Sequence, residues 1–414
     1  MSRQTLAGRG DAATPLPRLE PETGPRTEAG ALPAAESGHA GAGTGTGASS
    51  VAASAAAVAA RGGRTPGSRS RRIDGSAGRA GRSRAGRRPG PVARVNLLAV
   101  AGIVVAIVLN LVAGRHPMAV PELLEALAGG RVPGVSFMLW EDRLPQAAVG
   151  VLAGAAFGAS GAIFQRMLRN PLASPDVIGV GYGASAAAVA GMLFFGAQGL
   201  GLSLIACAGA LAVALLIYAI ADAGRHTGAR LILAGIAVAA MLQGVIQYLL
   251  TRTDIRMASD AMRWLTGSLS ASTWERAGML GAALAILLPL LVPAAAKLRI
   301  LELGDDTAAG LGLRVRGTRL GLILLAVGLT AVATAVTGPL AFVSFLAGPL
   351  ALRLCGGRSN LGSAALVGAL LVTSATFIAT NILNDIQLPV GVVTGALGAP
   401  FLIWVLVRAN KEGS

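Results

Sequence analysis

Residues Arg143 to Ala184 read RLPQAAVGVLAGAAFGASGAIFQRMLRNPLASPDVIGVGYGA, and the fold follows from them. From Gln146 to Gln165 the stretch runs twenty residues without a charge. A bilayer core takes about 20 apolar residues of helix, and Gly, Ala and Ser spread through them let helix backbones approach closely. The segment is therefore expected to be a membrane helix that packs against other helices. It breaks at Arg166, Arg169 and Asn170-Pro171, because proline lacks a backbone donor and disfavours helical geometry in the residue before it. A short polar turn follows, and the next apolar span starts at Val177.

Working outward, the 414-residue chain is 53% hydrophobic and only 13% charged, with a mean hydropathy of +0.64. A soluble domain carries roughly 25% charged residues, so a membrane protein is indicated. The net charge of +15 is unevenly spread: residues 1–94 hold 15 arginines against 6 acidic residues, and the remainder holds 20 basic against 14 acidic ones. Residues 1–93 are rich in Gly, Ala, Pro, Ser and Arg, too poor in large apolar side chains to offset the entropy of ordering, and are expected to be a disordered basic tail. The run Arg61 to Arg88 admits three readings: contact with anionic lipid, contact with nucleic acid, or sequence included by an over-long translation start. No nucleic-acid partner is adopted. The two cysteines, Cys207 and Cys355, lie in or beside apolar runs and exclude a disulfide framework.

From residue 94 onward the expectation is an all-α membrane protein with ten transmembrane helices. The uncharged cores run approximately over 95–113, 145–165, 177–196, 199–221, 231–250, 277–296, 320–336, 339–352, 361–381 and 388–407. Ten spans place both termini on one side. With the N-terminus inside, thirteen basic residues fall on the inner loops and C-terminus (Arg166, Arg169, Arg225, Arg230, Lys297, Arg299, Arg314, Arg316, Arg319, Arg353, Arg358, Arg408 and Lys411), against seven outside. The positive-inside rule then predicts cytoplasmic termini and a cell-membrane location.

Enzyme chemistry finds no support. There is no GxxxxGK[ST] phosphate loop, and His39, His116 and His226 are isolated, without HExxH spacing or a carboxylate cluster, so no metal or cofactor is expected on this chain. A proton-coupled transporter normally places an ionisable side chain inside a span. None of the ten cores holds Asp, Glu, Lys, Arg or His. Gln165, Gln243 and Gln247 are the intramembrane polar groups of note, suited either to interhelical hydrogen bonds or to lining a pathway.

The string RLP...GAAFGASGAIFQ...RNPLASPDVIGV..GA resembles the signature of the FecCD family, the membrane subunits of ABC importers for iron-siderophore complexes, haem and cobalamin. Later stretches follow in the family's order, so the resemblance covers roughly Arg94 to Arg408. Leu301 to Leu313, LELGDDTAAGLGL, would by itself pass for a solvated loop broken by glycines. Beside the opening signature it is similar to the family's coupling segment, L-x-L-G-[DE]-x-x-A-x-x-L-G, at about residues 298–316. The resemblance implies that Leu301, Leu303, Gly304, Asp305, Ala308, Leu311 and Gly312 engage a separate ATPase, with Asp305 capping the following short helix. Arg225 to Arg230, followed by LILAGI, is similar to a gate loop in which Thr227 and Gly228 would close the pathway; a positive-inside turn is the simpler alternative. The segment Trp264 to Ser270 and Trp274 resemble the family as well, although interfacial Trp anchors many membrane proteins.

Gly338-Pro339 opens a stretch similar to GP-x-x-FVG-x-x-x-PH-x-x-R, with Ser344 in place of a glycine and Gly348-Pro349 where Pro-His is usual. Pro389, Gly391 and Pro400 fit E-x-P-x-G-x-x-T-x-x-x-G-x-P-F, with Gln387 in place of Glu. With Gln165, Asn170 and Pro171, these residues are expected to serve helix packing or the pathway. Arg143, at the outer mouth, would dock an extracytoplasmic binding protein. The resemblance implies a second permease, more readily a heterodimer than a homodimer, and two cytoplasmic ATPases that hold ATP and Mg. It implies an iron(III)-siderophore as cargo, with cobalamin or haem as alternatives, and a proton-coupled transporter as the alternative from another class.

Overall fold

The computed structural model describes residues 90–113, 117–130, 132–176, 178–221, 227–358, 360–381 and 388–412. The basic tail lies outside the described residues. The first helix, α1, spans Pro91–Val112, beginning slightly ahead of the Arg94 boundary, with proline in its opening turn, where the missing N–H has no intrahelical partner to lose. The order continues with α2 (Leu144–Leu168), α3 (Val180–Phe195), α4 (Gly199–Ala221), α5 (Thr227–Thr251), α6 (Trp274–Leu287), α7 (Leu291–Leu301), α8 (Val315–Thr337), α9 (Val343–Leu354), α10 (Leu361–Asn381) and α11 (Val390–Glu412). Short helices at Val120–Leu127, Ile255–Thr266 and Asp305–Gly310 sit in the connections.

These elements reproduce the ten expected stretches. Six helices are long and apolar enough to cross a bilayer, α6 and α7 meet the same test only as a pair, bent by 50° between them, and α3, α9 and α11 contain shorter apolar helices. The bend falls at Leu288–Leu290, where Pro289 cannot donate to the helical ladder. The chain is a multi-pass membrane protein.

Amphipathicity does not decide which spans are central, because these helices are apolar all round; small residues do. Helices α2 and α8 each have 72% of their apolar window buried, against 22% for α1. Around α2 pack α1, α6, α7, α8, α9 and α10. The α2–α10 contact is made by backbone: a Cβ added at Gly154 would stand 2.5 Å from the Gly368 carbonyl oxygen and 2.7 Å from Ala369 Cα. At Gly158 it would meet the Ala364 carbonyl carbon at 3.0 Å. The expectation that α2 packs against other helices is therefore met by its glycines. Ser160 in the same helix donates to the Ala326 carbonyl of α8 at 2.6 Å and stands 2.7 Å from the Thr330 hydroxyl, so that a buried polar group is satisfied across the interface.

Candidate functional site

The end of α2 is where sequence, turn geometry and long-range contacts converge. The helix stops in a Schellman arrangement: Asn170 N–H donates to the Gln165 carbonyl at 3.0 Å and Arg169 N–H to the Arg166 carbonyl at 3.3 Å. Arg169 occupies the left-handed position, φ 50°, that glycine normally fills. Asn170 Oδ1 accepts from Leu172 N–H at 2.9 Å, and with Pro171 turns the chain away.

The reason for an arginine at a glycine position is its side chain. Arg169 Nη2 donates to the carbonyl of Leu301 at 2.6 Å, and one turn earlier Arg166 Nε meets Glu302 Oε1 at 2.6 Å. Both bonds hold the segment that follows α7. Leu301 is buried, Gly304 has φ 113°, and the short helix Asp305–Gly310 buries Ala308 completely. Gly312, φ 84°, lets the chain turn again, while Leu303 and Leu311 stand 61% and 63% exposed. Asp305 does not cap the short helix as expected. Gly304 is the N-cap and makes no side-chain bond, and Asp305 Oδ1 instead accepts from Arg319 Nη2 of α8 at 2.8 Å. The helix is a single turn and a half, and a guanidinium offers the carboxylate a stronger partner than its own amides. The segment is thus a small projection that exposes Leu303 and Leu311 and is fastened to α2 and α8.

One residue before Arg166, α2 reaches another helix. Gln165 is buried, and its Nε2 donates to the Phe345 carbonyl at 3.0 Å and more weakly to the Ser344 carbonyl at 3.4 Å. In a regular helix the Phe345 carbonyl would bond the N–H of residue 349, which is proline and has none. Gln165 supplies the missing donor from outside α9. Glycine at 348 leaves room for it, since a Cβ there would press on the Gln165 amide. Proline at 349 therefore leaves α9 unbroken, and Gln165 joins α2 to α9 by an interhelical hydrogen bond. Gln243 and Gln247 lie on α5, the latter exposed.

In the turn between α2 and α3, outside the spanning helices, Asp176 lies beside Ser344. Its Oδ2 and the Ser344 Oγ are buried without hydrogen-bond partners. Desolvation by burial pushes this carboxyl up to about 7, and the neighbouring Ser344 side chain acts in the lowering direction. The sequence signal was an acid bracketed by apolar residues in SPDVIG.

At the opposite end of α8, three chain segments meet through glycine. Gly391 N–H donates to the Gly267 carbonyl at 3.1 Å, and Ser268 N–H to the Thr337 carbonyl at 2.8 Å. Gly338, φ 71°, precedes Pro339, and a Cβ on it would lie 3.1 Å from Gly267 Cα. Pro389 stands just ahead of α11 and accepts from Val392 N–H at 3.0 Å, and Pro400 lies inside that helix. Pro339, Gly338 and Gly391 are thus brought together with Trp264 to Ser268, whereas Pro400 is not part of the junction.

Arg143 is placed differently from a docking charge. It ends a π-helical turn, Met138–Arg143, is buried, and donates through Nη1 to the Leu111 carbonyl at the end of α1. This buried guanidinium ties α1 to the start of α2 through a backbone oxygen. Thr227 and Gly228 fall in the first turn of α5, and their side chains lie outside the described residues, as do Arg225 and His226. Among the described residues no three His, Cys, Asp or Glu side chains gather as a metal site.

The model of the FecCD transport family matches residues 102–408. The chain belongs to the FecCD transport family. Among relatives of this FecCD permease, the ferric enterobactin transport system permease protein FepG of Escherichia coli (strain K12) is 38% identical over 317 residues, 76% of this chain and 96% of that protein. The vitamin B12 import system permease protein BtuC of Salmonella newport (strain SL254) is 33% identical over 319 residues, covering 75% and 93%. A solved structure described as an inward-facing conformation of a metal-chelate type ABC transporter superposes with a TM-score of 0.68 at 25% identity, covering 76% of the FecCD chain and 99% of its own.

Proposed function

We propose that this FecCD permease is one membrane half of an ATP-driven importer that carries an iron(III)-siderophore across the cell membrane into the cytoplasm. The carrying observation is the projection at Leu301–Leu313, which exposes Leu303 and Leu311 on a frame held by Arg166, Arg169 and Arg319. An apolar knob fixed at its base suits a cleft in a separate ATPase subunit, where Leu303 and Leu311 would seat and Gly304 and Gly312 would give the turns. ATP and Mg belong to that subunit, and this chain needs no cofactor of its own. The basic loops support cytoplasmic termini and a projection on the cytoplasmic side. The remaining partners are a second permease, a different chain more readily than a second copy, and an extracytoplasmic binding protein.

The cargo assignment is supported by the relative named for ferric enterobactin. The relative named for vitamin B12 makes cobalamin the second reading. Both are tested with vesicles carrying the assembled transporter, ATP inside and the proton gradient collapsed, offered radiolabelled ferric enterobactin or cyanocobalamin with the binding protein. Uptake of the ferric catecholate that requires ATP is expected. Uptake that needs the gradient and ignores ATP sinks the reading, and uptake of cobalamin alone replaces the cargo.

A further inference from the structure

The last turn of α2 is tied in two directions by side chains that stand within five residues of one another. Arg169 and Arg166 reach the segment after α7, through the Leu301 carbonyl and the Glu302 carboxylate, each at 2.6 Å. Gln165 reaches α9, through the Phe345 carbonyl at 3.0 Å, the rung that Pro349 leaves without an internal donor. We propose that this turn is the element through which displacement of the projecting segment enters the transport helices: Arg169 and Arg166 are positioning residues, and Gln165 passes the displacement to α9 at its proline.

This inference rests on reading the segment as the ATPase contact, and it adds where the motion goes next. Ion pairs with this much solvent contribute little to stability, so the principal effect of Arg166–Glu302 is to fix position. The Arg169 bond is charge-assisted and points at a backbone atom, so the segment cannot slip by a change of rotamer at Leu301. Arginine also occupies a backbone conformation that favours glycine, which a helix cap alone would not call for. On the receiving side, a helix lacking one internal hydrogen bond bends more readily there than elsewhere, and the replacement donor belongs to the same turn of α2 that holds the segment. Side-chain contacts and one rigid helix end therefore join the segment to a bendable element without a gap.

The test uses the complete transporter in proteoliposomes, measuring import of radiolabelled ferric enterobactin and release of phosphate from ATP on the same vesicles. Wild type is measured first: an absence of ATP-dependent import there strikes the reading of the segment itself, before any variant is compared. Arg169→Gly suits the left-handed turn and removes only the tie. Hydrolysis should stay within about twofold of wild type while import per ATP falls about tenfold, the scale of one charge-assisted hydrogen bond. Arg169→Lys should recover most of the ratio. Arg166→Glu should lower the same ratio, and adding Glu302→Arg should restore it. A residue that merely terminates the helix would be replaced by glycine without loss. An unchanged ratio in Arg169→Gly, or a charge swap that restores nothing, overturns the inference.

Discussion

Replacing Gly154 by alanine puts the packing of the membrane core to a quantitative test. The added methyl would stand 2.5 Å from the Gly368 oxygen, 2.7 Å from Ala369 Cα and 2.9 Å from Ala369 N. Unstrained carbon contacts lie at roughly 3.5–4.0 Å, so α2 and α10 must part by about 1 Å. All three obstructing atoms are helix backbone and cannot rotate aside. A gap of that size forfeits about a quarter to a half of each nearby dispersion contact, and overpacking of this kind costs about 1–3 kcal/mol, or roughly a 5- to 150-fold shift in the folding equilibrium. Gly278→Ala is the internal control: nothing lies within 4 Å of its added Cβ, so it should be neutral or stabilising by about 0.5–1 kcal/mol through the restricted unfolded chain. The assay is the fraction of each variant that remains monodisperse by size exclusion after graded heating in detergent. Equal thermal midpoints for Gly154→Ala and Gly278→Ala would refute the backbone contact between α2 and α10.

Arg143→Glu removes the donor to the Leu111 carbonyl and places an acid beside that oxygen; it should cost about 1–3 kcal/mol and so lower the thermal midpoint, with Arg143→Lys milder. A normally stable Arg143→Glu protein that fails to bind its binding protein would instead assign Arg143 the docking role. Gly312→Phe meets no steric block within this chain but strains a backbone at φ 84°; insertion and ligand capture should persist while ATP hydrolysis is uncoupled from import, and intact coupling would speak against the projection as the ATPase contact. Asp176 carries a carboxyl raised to about 7 against roughly 3.9 when unfolded. The folded protein then binds the proton more tightly, so stability is greatest below the unfolded value and declines as pH rises through about 7. Asp176→Asn should flatten that decline between about pH 5 and pH 8, and parallel pH profiles of thermal midpoint for the two proteins would count against the buried carboxyl.

The ten spans were legible because length and hydropathy act locally, and the stop at Asn170-Pro171 because proline acts on its immediate neighbours. The pairing of spans was legible only as a propensity: glycines at 154, 158 and 161 announced a close approach without naming Gly368 or Ser344 as the surface approached. Gln165 was read as either a hydrogen-bonding or a pathway residue, since the carbonyl that needs it lies 180 residues away and is exposed by a proline two turns into another helix. Arg143, Arg166 and Arg169 all looked like loop charges. One is covered by α1 and two hold a segment more than 130 residues distant, outcomes set by tertiary packing. Asp305 sat at a reasonable capping position and was claimed by Arg319, because an opposite charge on α8 outcompetes a short helix's own amides.

The backbone contact between α2 and α10 also limits how this sequence can drift. When a core side chain enlarges, a second-site suppressor usually shrinks its neighbour and recovers the lost packing. At Gly154 and Gly158 the neighbours are Gly368, Ala364 and Ala369, approached through their main-chain atoms, so shrinking either alanine to glycine would remove none of the obstructing atoms. Revertants of Gly154→Ala should then be of two kinds only: restoration of the glycine, or changes on α1, α8 or α9 that let a whole helix shift. A genetic selection on uptake would thus trace which neighbours of this pair can still move and which are locked with it.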